Sequence, residues 1–354
     1  MNKLSICVLF GGVSPEHEVS LRSAESVLNH LDKDKYNLFP VGITKNGDWY
    51  LFGGDDYGML PDGSWETCPK NRKAAISPRR GQGLLVFEED CDVRVHIDVV
   101  FPVLHGENGE DGSIQGLLQI AGLPYVGPHV ASSAVCMDKS LTKLVAQLAG
   151  IRQAPWELVH RSAFERDADA VCEKAEQKLG YPLFVKPCGT GSSVGVSRAE
   201  NRGELREAIA AALAYDAKVL VEKYIRGREV EVAVLGNETP VASVCGEIDP
   251  GATFYDYETK YLTDTAKLYI PARISEDASE KVRETAIRVY EALGCRGLSR
   301  VDFFVTFDGE EVVFNEINTL PGFTSISMYP KLFEASGIPY GELLDRLLEL
   351  AQEA

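Results

Sequence analysis

The chain has 354 residues, with 36 Lys and Arg against 53 Asp and Glu, which gives a formal net charge of −17 with histidine neutral. Its hydrophobic content of 45% excludes a disordered chain, and its length permits sizeable cores in about two or three domains. The negative charge argues against duplex DNA and anionic membranes as partners, because neutralising phosphate needs clusters of Lys and Arg.

The N-terminal part predicts a parallel α/β unit. Gly11 and Gly12 break the chain directly after an apolar strand, which is typical of a strand-turn-helix connection. The apolar core of that strand is also too short to favour a secretory signal or a membrane span. The elements predicted here are a strand at 6–10, a helix at 20–31 and a strand at 38–43.

The parallel unit is interrupted before it resumes. Residues 53–83 are rich in Gly, Pro and Asp, which indicates a surface excursion with short strands such as 84–87 rather than a linker between domains. The unit resumes at 97–104, where the continuous apolar run Val99, Val100 and Phe101 predicts a doubly covered strand that ends in the polar segment 105–112. We place the first boundary near Pro128, so that residues 1–127 form the first domain.

Residues 128–225 predict a smaller α+β unit, and residues 226–354 a larger antiparallel one. The chain as a whole has eight cysteines, and they show no paired spacing, which favours reduced thiols in a cytoplasmic protein. The polar, tyrosine-containing segment 249–270 predicts a mobile lid. The elements expected are helices at 138–149, 168–179, 204–215 and 280–293, strands at 157–159, 182–187, 219–223, 229–235, 241–247, 299–306 and 311–318, and two C-terminal helices.

Four polar residues near the C-terminus share strand faces. Arg300 and Asp302 lie two apart on one strand, as do Glu316 and Asn318 on the next, and a hairpin can bring the four together. Two carboxylates with an amide oxygen form a hard-oxygen set suited to Mg²⁺, beside which Arg300 can neutralise oxyanion charge. The alternative is an ordinary salt-bridged strand pair. The Pro321-Gly322 break directly after the strand favours a site.

Two lysines are candidate phosphate cations. Lys186 ends a strand and precedes the glycine-rich loop 187–195, whose N–H groups can approach an anion closely. The alternative for this loop is a plain hairpin turn. Lys139 begins a helix, where an isolated lysine is more often a surface residue.

Carboxylates also stand before the first helix. Glu18 is expected to cap that helix, whereas Glu16, further out in the loop, is free to accept a substrate ammonium. His105 follows a strand at the edge where open α/β sheets bind ligands, although a lone histidine is more often structural.

The ordered motifs resemble those of one known family. They are Gly11-Gly12-x-Ser14-x-Glu16-x-Glu18-Val19-Ser20, His105-Gly106 with Gly109-Glu110-Asp111-Gly112, Met137-Asp138-Lys139, Lys186-Pro187 with Gly191-Ser192-Ser193-Val194-Gly195, Tyr255-Asp256-Tyr257-Glu258-x-Lys260-Tyr261, and Asn315-Glu316-Ile317-Asn318-Thr319-x-Pro321-Gly322. In this order, over nearly the whole chain, they closely resemble the D-alanine–D-alanine ligases of the ATP-grasp superfamily.

The resemblance implies a three-domain ATP-grasp fold and a ligase that forms D-alanyl-D-alanine through a D-alanyl phosphate, for peptidoglycan precursor synthesis. It implies ATP, two Mg²⁺ ions with Mn²⁺ as a substitute, K⁺ as a further candidate ion, and a homodimer. It assigns Lys139, Lys186, Ser193 and Lys260 with Glu222 and Glu229 to ATP, Asp302, Glu316 and Asn318 to metal, and Glu16, His105, Arg300, Gly322, Ser327 and Met328 to substrate. Glu16, Ser192 and Tyr261 would link the domains when the loop closes.

Alternatives remain open at this stage. Within the class, a D-alanine–D-lactate or D-alanine–D-serine ligase is an alternative. Such ligases typically replace the loop tyrosine or have Arg next to the substrate serine, whereas this chain has Tyr261 in the loop and Met328 next to Ser327. A Rossmann oxidoreductase would explain Gly11 and Gly12 but not the pair Glu316 and Asn318. A nucleotide sensor without catalysis would explain ATP binding alone. Gly189-Thr190 departs from the larger residues common in the family, so the contacts of that loop are left undefined.

Overall fold

The computed structural model describes residues 3–192, 194–249, 251 and 267–353. The described strands form three sheets. Among the described residues, no helix combines the length and apolar character needed to cross a bilayer.

The first sheet contains the predicted parallel unit. Strand β1 lies between β2 and β7 and pairs with both in parallel, because a helical crossover follows the glycine turn. Four antiparallel strands extend this sheet beyond β2, in the order β6-β5-β4-β3-β2-β1-β7. The elements are β1 (Leu4–Gly11), α1 (His17–His30), β2 (Tyr36–Ile43), β3 (Trp49–Leu51), β4 (Arg72–Ile76), β5 (Leu84–Val86), β6 (Val93–Val95), β7 (Val99–Val103) and α2 (Ser113–Ala121).

The excursion at 53–83 is anchored to the sheet by Trp65. This indole is fully buried and meets the ring of Phe10 edge-on, with centroids 5.0 Å apart. The two rings cover Gly42 on β2, where a Cβ atom would lie 2.3 Å from Trp65 and 2.7 Å from Phe10. The predicted surface segment therefore contributes to the core of the first sheet.

Gly42→Ala is expected to lower the free energy of unfolding by about 1–3 kcal/mol, because the added methyl group would overlap two fully buried rings. Urea unfolding measures the change. Gly116→Ala on α2 is the matched control: a Cβ there meets nothing within 4 Å, and alanine favours a helix over glycine. A Gly42→Ala variant as stable as the wild type would show that the segment 53–83 can shift to accommodate the added methyl group.

The second sheet has the order β10-β9-β11-β8, with antiparallel pairing throughout. The three helices and three strands predicted for this unit are present to within a few residues at each end, and the structure adds α3, α5 and β10, which were not predicted. The elements are α3 (Val130–Met137), α4 (Lys139–Leu148), β8 (Trp156–His160), α5 (Arg161–Arg166), α6 (Ala168–Leu179), β9 (Leu183–Pro187), β10 (Ser197–Ala199), α7 (Arg202–Ala212) and β11 (Lys218–Lys223).

The third sheet is antiparallel, as predicted, in the order β14-β13-β12-β15-β16. Its long helix starts at Glu276, four residues before the predicted start, because the Ser275 side chain caps it by accepting the Ala278 N–H. The elements are β12 (Gly227–Leu235), β13 (Val241–Asp249), β14 (Lys267–Tyr269), α8 (Glu276–Ala292), β15 (Leu298–Thr306), β16 (Val312–Asn318), α9 (Met328–Ala335) and α10 (Tyr340–Leu350).

The first and third sheets share a hydrophobic core. Val27 and Leu28 of α1 belong to the same buried cluster as Leu343 and Leu347 of α10. Polar contacts border this cluster: the Tyr340 hydroxyl lies 3.0 Å from Ser26 Oγ. Packing of α1 against α10 thus fixes the first sheet against the third.

Candidate active site

A cavity of 590 Å³ lies where the three sheets meet. Its walls include the predicted site residues that lie within the described part of the chain. Among the residues that line it are Glu16, His105, Lys139, Lys186, Ser192, Glu222, Glu229, Arg300, Asp302, Glu316, Asn318, Gly322, Ser327 and Met328. The fold therefore brings the predicted residues into one space.

Three carboxylates lie in a row across the third sheet. Glu231 on β12 is opposite Asp302 on β15, which is opposite Glu316 on β16. Arg300 donates to Asp302 through Nε at 2.8 Å and Nη2 at 2.7 Å, and its Nε lies 3.1 Å from Glu231 Oε2. Arg300 is in turn opposite Asn318. The predicted convergence of these four polar residues on one hairpin is confirmed.

The neighbouring carboxylates keep Arg300 positively charged. Burial acts to lower the pKa of the guanidinium, but Asp302 and Glu231 outweigh burial and raise it well above its ordinary value. A fixed positive charge in a confined site is suited to stabilising an oxyanion.

The same row offers oxygen ligands to a cation. Asn318 Nδ2 donates to Asp302 Oδ2 at 3.0 Å, and rotating that amide turns its oxygen toward the same point. Within the described part of the chain, no three His, Cys, Asp or Glu side chains converge as a metal site. A set built on Asp302 and Glu316 would therefore depend on the Asn318 oxygen as its third ligand. Such a set fits Mg²⁺ or Mn²⁺ rather than a softer metal.

An irregularity in β16 connects this hairpin to the second sheet. Asp302 pairs with Glu316, but Phe303 pairs with Phe314, so Asn315 is the extra residue of a bulge. Asn315 Oδ1 accepts a hydrogen bond of 3.1 Å from Lys186 Nζ. The bulge thus joins one predicted phosphate lysine to the strand that bears the predicted metal ligands.

Glu222 is shared by two lysines. One carboxylate oxygen accepts from Lys186 Nζ at 2.7 Å, and the other forms an ion pair with Lys143 Nζ. Burial acts to raise the pKa of Glu222, but Lys143 and Lys186 outweigh it and lower the pKa to about 2. Burial lowers the pKa of Lys143. The carboxylate is therefore ionised at every ordinary pH.

The second predicted phosphate lysine meets the glycine-rich loop. Lys139 begins α4, where Asp138 accepts the Ser140 and Leu141 N–H groups as the helix cap. Its Nζ donates to the Thr190 carbonyl at 2.6 Å. Both predicted phosphate lysines therefore lie beside the loop that was expected to cover an anion.

Glu16 connects the first sheet to that loop. Its carboxylate accepts the Ser192 hydroxyl, across 176 positions of the chain. A Cβ atom on Gly106 would lie 2.4 Å from Glu16 Oε2, and one on Gly191 2.8 Å from the same atom. The two glycines therefore leave room for this carboxylate between two loops.

The expected capping role of Glu18 is wrong. Helix α1 begins at His17, so Glu16 occupies the cap position, and its side chain makes no capping bond. Glu18 lies in the first helical turn and pairs with Lys45. The residue that begins a helix is set by backbone dihedral angles, which a pattern of carboxylates does not define.

His105 has protein partners at both ring nitrogens. Nδ1–H donates to the Leu320 carbonyl at 3.0 Å, and Nε2 accepts from the Ser23 hydroxyl at 3.1 Å. Burial lowers the pKa of this histidine despite the nearby charge of Glu16, so the ring is neutral. In this arrangement neither nitrogen is left over for a ligand.

The residues assigned to the second substrate lie together at the start of α9. Ser327 Oγ accepts the Thr324 N–H at 3.0 Å, and a Cβ atom on Gly322 would lie 2.8 Å from that oxygen. Met328 follows, with its methyl packed over Gly246 of β13. Ser193, Lys260 and Tyr261, and the predicted lid 249–270 apart from its ends, lie outside the described residues.

Four residues of the site had no predicted role. Glu231 lies two positions from Glu229 and thus on the same strand face, so alternation could have identified it. Glu110 and Asn315 belong to motifs that were recognised without a role for either. Lys143 gave no signal, because nothing local marks a lysine that will be buried beside a carboxylate 79 positions away.

Comparison with known proteins agrees with this geometry. The family described as D-ala D-ala ligase N-terminus matches residues 5–128, and D-ala D-ala ligase C-terminus matches residues 145–349. A D-alanine–D-alanine ligase of Caldicellulosiruptor bescii is 48% identical over 354 residues, which cover 100% of this chain and 96% of the relative. One from Thermoanaerobacter sp. is 50% identical over 358 residues, covering 100% and 98%.

Solved structures give the same result. The VanG D-Ala:D-Ser ligase of Enterococcus faecalis superposes with a TM-score of 0.90 at 39% identity, covering 99% of this chain and 100% of that one. The D-alanine–D-alanine ligase of Coxiella burnetii gives 0.86 at 39% identity, covering 100% and 95%. The predicted combination of α/β and α+β units in an ATP-grasp fold is confirmed. The chain belongs to the D-alanine–D-alanine ligase family.

Proposed function

We propose that the protein joins two D-alanine molecules to D-alanyl-D-alanine at the expense of ATP, for peptidoglycan precursor synthesis. One observation supports this most strongly: a single cavity contains an ammonium acceptor (Glu16), phosphate cations (Lys139 and Lys186), and a row of carboxylates around Arg300. A nucleotide-binding module without catalysis would need only the cations.

ATP would lie between the second and third sheets. Lys139 and Lys186 would bind its phosphates, together with Ser193 and Lys260 outside the described residues. Glu222 and Glu229 would face the adenine and ribose. Asp302, Glu316 and Asn318 would hold two divalent ions, which when bound would neutralise the charge of the transferring phosphoryl group.

D-Alanine would lie on the side of the first sheet. Glu16 would accept the ammonium of the first molecule, near His105, and Ser327 and Met328 would contact the second. Ser192 holds the Glu16 carboxylate, so that its orientation is set before substrate arrives. Tyr261 would join this pair when the loop closes and excludes water.

The reaction would take two steps. A carboxylate oxygen of the first D-alanine attacks the γ-phosphorus of ATP, forming an O–P bond as ADP leaves. The free amine of the second D-alanine then attacks the acyl carbon, and the tetrahedral intermediate expels inorganic phosphate while the amine loses a proton. Arg300 and the Gly322 N–H would stabilise the oxyanion of that intermediate.

A second activity is favoured by one comparison. The VanG structure, a D-Ala:D-Ser ligase, superposes with a TM-score of 0.90. A D-alanine–D-serine product, or a D-alanine–D-lactate product, is therefore the alternative. Tyr261 favours D-alanine over D-lactate as the second substrate, because a neutral phenol does not repel its ammonium. Met328 stands where the variant ligases typically have Arg.

The test is a product assay with ATP and Mg²⁺, using D-alanine alone and equimolar mixtures with D-lactate or D-serine. We expect D-alanine-dependent phosphate release and D-alanyl-D-alanine as the main product at pH 7 to 8. Mainly ester or mainly D-alanyl-D-serine would contradict the choice of second substrate. ATP binding without phosphate release would instead support a nucleotide sensor. The same preparation, examined by sedimentation, tests the proposed homodimer.

A further inference from the structure

The loop that carries Gly322 is held at Leu320 by a distant part of the chain. The Leu320 N–H donates to Glu110 Oε1 at 3.2 Å, and the Leu320 carbonyl accepts from His105 Nδ1 at 3.0 Å. Both partners come from the segment after β7, more than 200 positions earlier. Both polar backbone groups of one residue are therefore fixed by the first sheet.

The segment 105–110 is itself rigid. Glu110 Oε2 accepts the Gly106 N–H at 2.8 Å, so the two oxygens of one carboxylate bridge two loops. The Glu110 N–H returns to the Gly106 carbonyl at 2.9 Å. One side chain thus accepts backbone N–H groups from both loops and connects them.

A second connection holds the loop beyond Gly322. The Phe323 N–H donates to Ser23 Oγ at 3.2 Å, and the Ser23 hydroxyl donates to His105 Nε2. Pro321, which lies between the two anchored positions, has a φ angle fixed by its ring. The Gly322 peptide is thus oriented from both sides by side chains of the first sheet.

The ionisation of Glu110 is costly where it stands. Burial and the charge of Glu16 raise the pKa of this carboxyl to about 8, against the two N–H donors and Arg300, which lower it. An acidic residue kept in such surroundings inside a ligand cavity is more often functional than structural.

We propose that Glu110 is a positioning residue of the ligation reaction, which together with His105 fixes the Leu320 peptide and thereby aims the Gly322 N–H at the oxyanion. This rests on the proposed function, because it assigns Gly322 its part in the second step. Glu110 touches no substrate in this scheme and acts only through the loop.

The experiment compares Glu110→Gln with two variants of the same segment, Glu107→Gln and Asp111→Asn. Glutamine keeps the size of Glu110, but its NH₂ group faces one of the two N–H donors. Glu107 is exposed, and Asp111 accepts only local N–H groups, from Asn108 and Ser113. Steady-state phosphate release is measured with ATP, Mg²⁺ and D-alanine varied separately.

We expect Glu110→Gln to lower kcat about tenfold, as displacement of a transition-state contact does, with KM for ATP and for the first D-alanine within about twofold. The two comparison variants should keep kcat. A purely structural role would move KM and the melting temperature together. An unchanged kcat in Glu110→Gln would overturn the proposal.

Ser23→Ala keeps the test decisive if Glu110→Gln folds poorly, because it frees the same loop at Phe323. A loss of kcat without a change in KM supports the proposal, and an unchanged kcat overturns it. Failure of the proposed function looks different, since wild-type protein would then release no phosphate with D-alanine.

Discussion

Glu316→Gln and Asn318→Ala are each expected to lower kcat about a hundredfold or more, because removing a hard oxygen ligand leaves phosphate charge uncompensated in a confined site. Both residues lie next to Asp302: Asn318 donates a hydrogen bond to it, and Glu316 faces it across the hairpin. Phosphate release at saturating Mg²⁺ measures the loss. Titration with Mn²⁺ in the presence of ATP, followed by electron paramagnetic resonance, gives an independent reading of metal affinity.

Glu311→Gln is the control for these variants. It removes one negative charge from the same hairpin, where Glu311 forms a surface ion pair with Arg152. We expect its turnover to equal that of the wild type, since exposed pairs contribute little. Near-wild-type rates in both Glu316→Gln and Asn318→Ala would show that the metal is held elsewhere.

Glu222→Gln is expected to lower the free energy of unfolding by about 3–5 kcal/mol, the cost of breaking a buried ion pair by removing one partner. The Lys143 and Lys186 side chains are only 3% and 14% exposed, so both would be left with little solvent. The matched control is Glu157→Gln. Glu157 also bridges two lysines, but these are 68% and 55% exposed, so we expect a loss of under about 1 kcal/mol.

The difference between wild type and Glu222→Gln should depend on pH. The pKa of Glu222 is about 2 in the folded protein, below the ordinary 4.5. Its stabilising contribution is therefore complete above about pH 4.5 and is lost as pH falls toward 2. Urea unfolding at pH 7, 4 and 3 measures the narrowing gap. A gap that widens toward acid, or equal losses in Glu222→Gln and Glu157→Gln, would contradict this account.

Strand periodicity predicted the parallel α/β unit, the α+β unit and the antiparallel unit, whereas the ATP-grasp fold was implied by the resemblance to a known family. Alternation placed Arg300 with Asp302 on one strand face and Glu316 with Asn318 on another. The hairpin turn predicted that the two faces meet, because a turn determines the register of the strands it connects. The extension of the first sheet was harder to foresee. Its antiparallel strands are short, and the indole of Trp65 that anchors the excursion packs against β1 and β2, which are distant in the sequence.

The site was predictable where side chains themselves have a role and not where they act through the backbone. Glu110 binds the N–H of Leu320, which any residue there would present, so no side-chain pattern marks the pair. Lys143 had no predicted role, because its burial depends on the ion pair it makes with Glu222, a residue distant in the sequence. The bulge at Asn315 could not be predicted either, because it is defined by the pairing register between β15 and β16.

The shared core of α1 and α10 has a consequence for synthesis. The apolar face of α1, with Val27 and Leu28, is synthesised more than 300 residues before its cover at Leu343 and Leu347. Until then this face is exposed to solvent and to other nascent chains, the condition in which aggregation competes with folding. Truncation of the chain before α10 should therefore damage the first sheet before the others, although the two are more than 200 residues apart in the sequence.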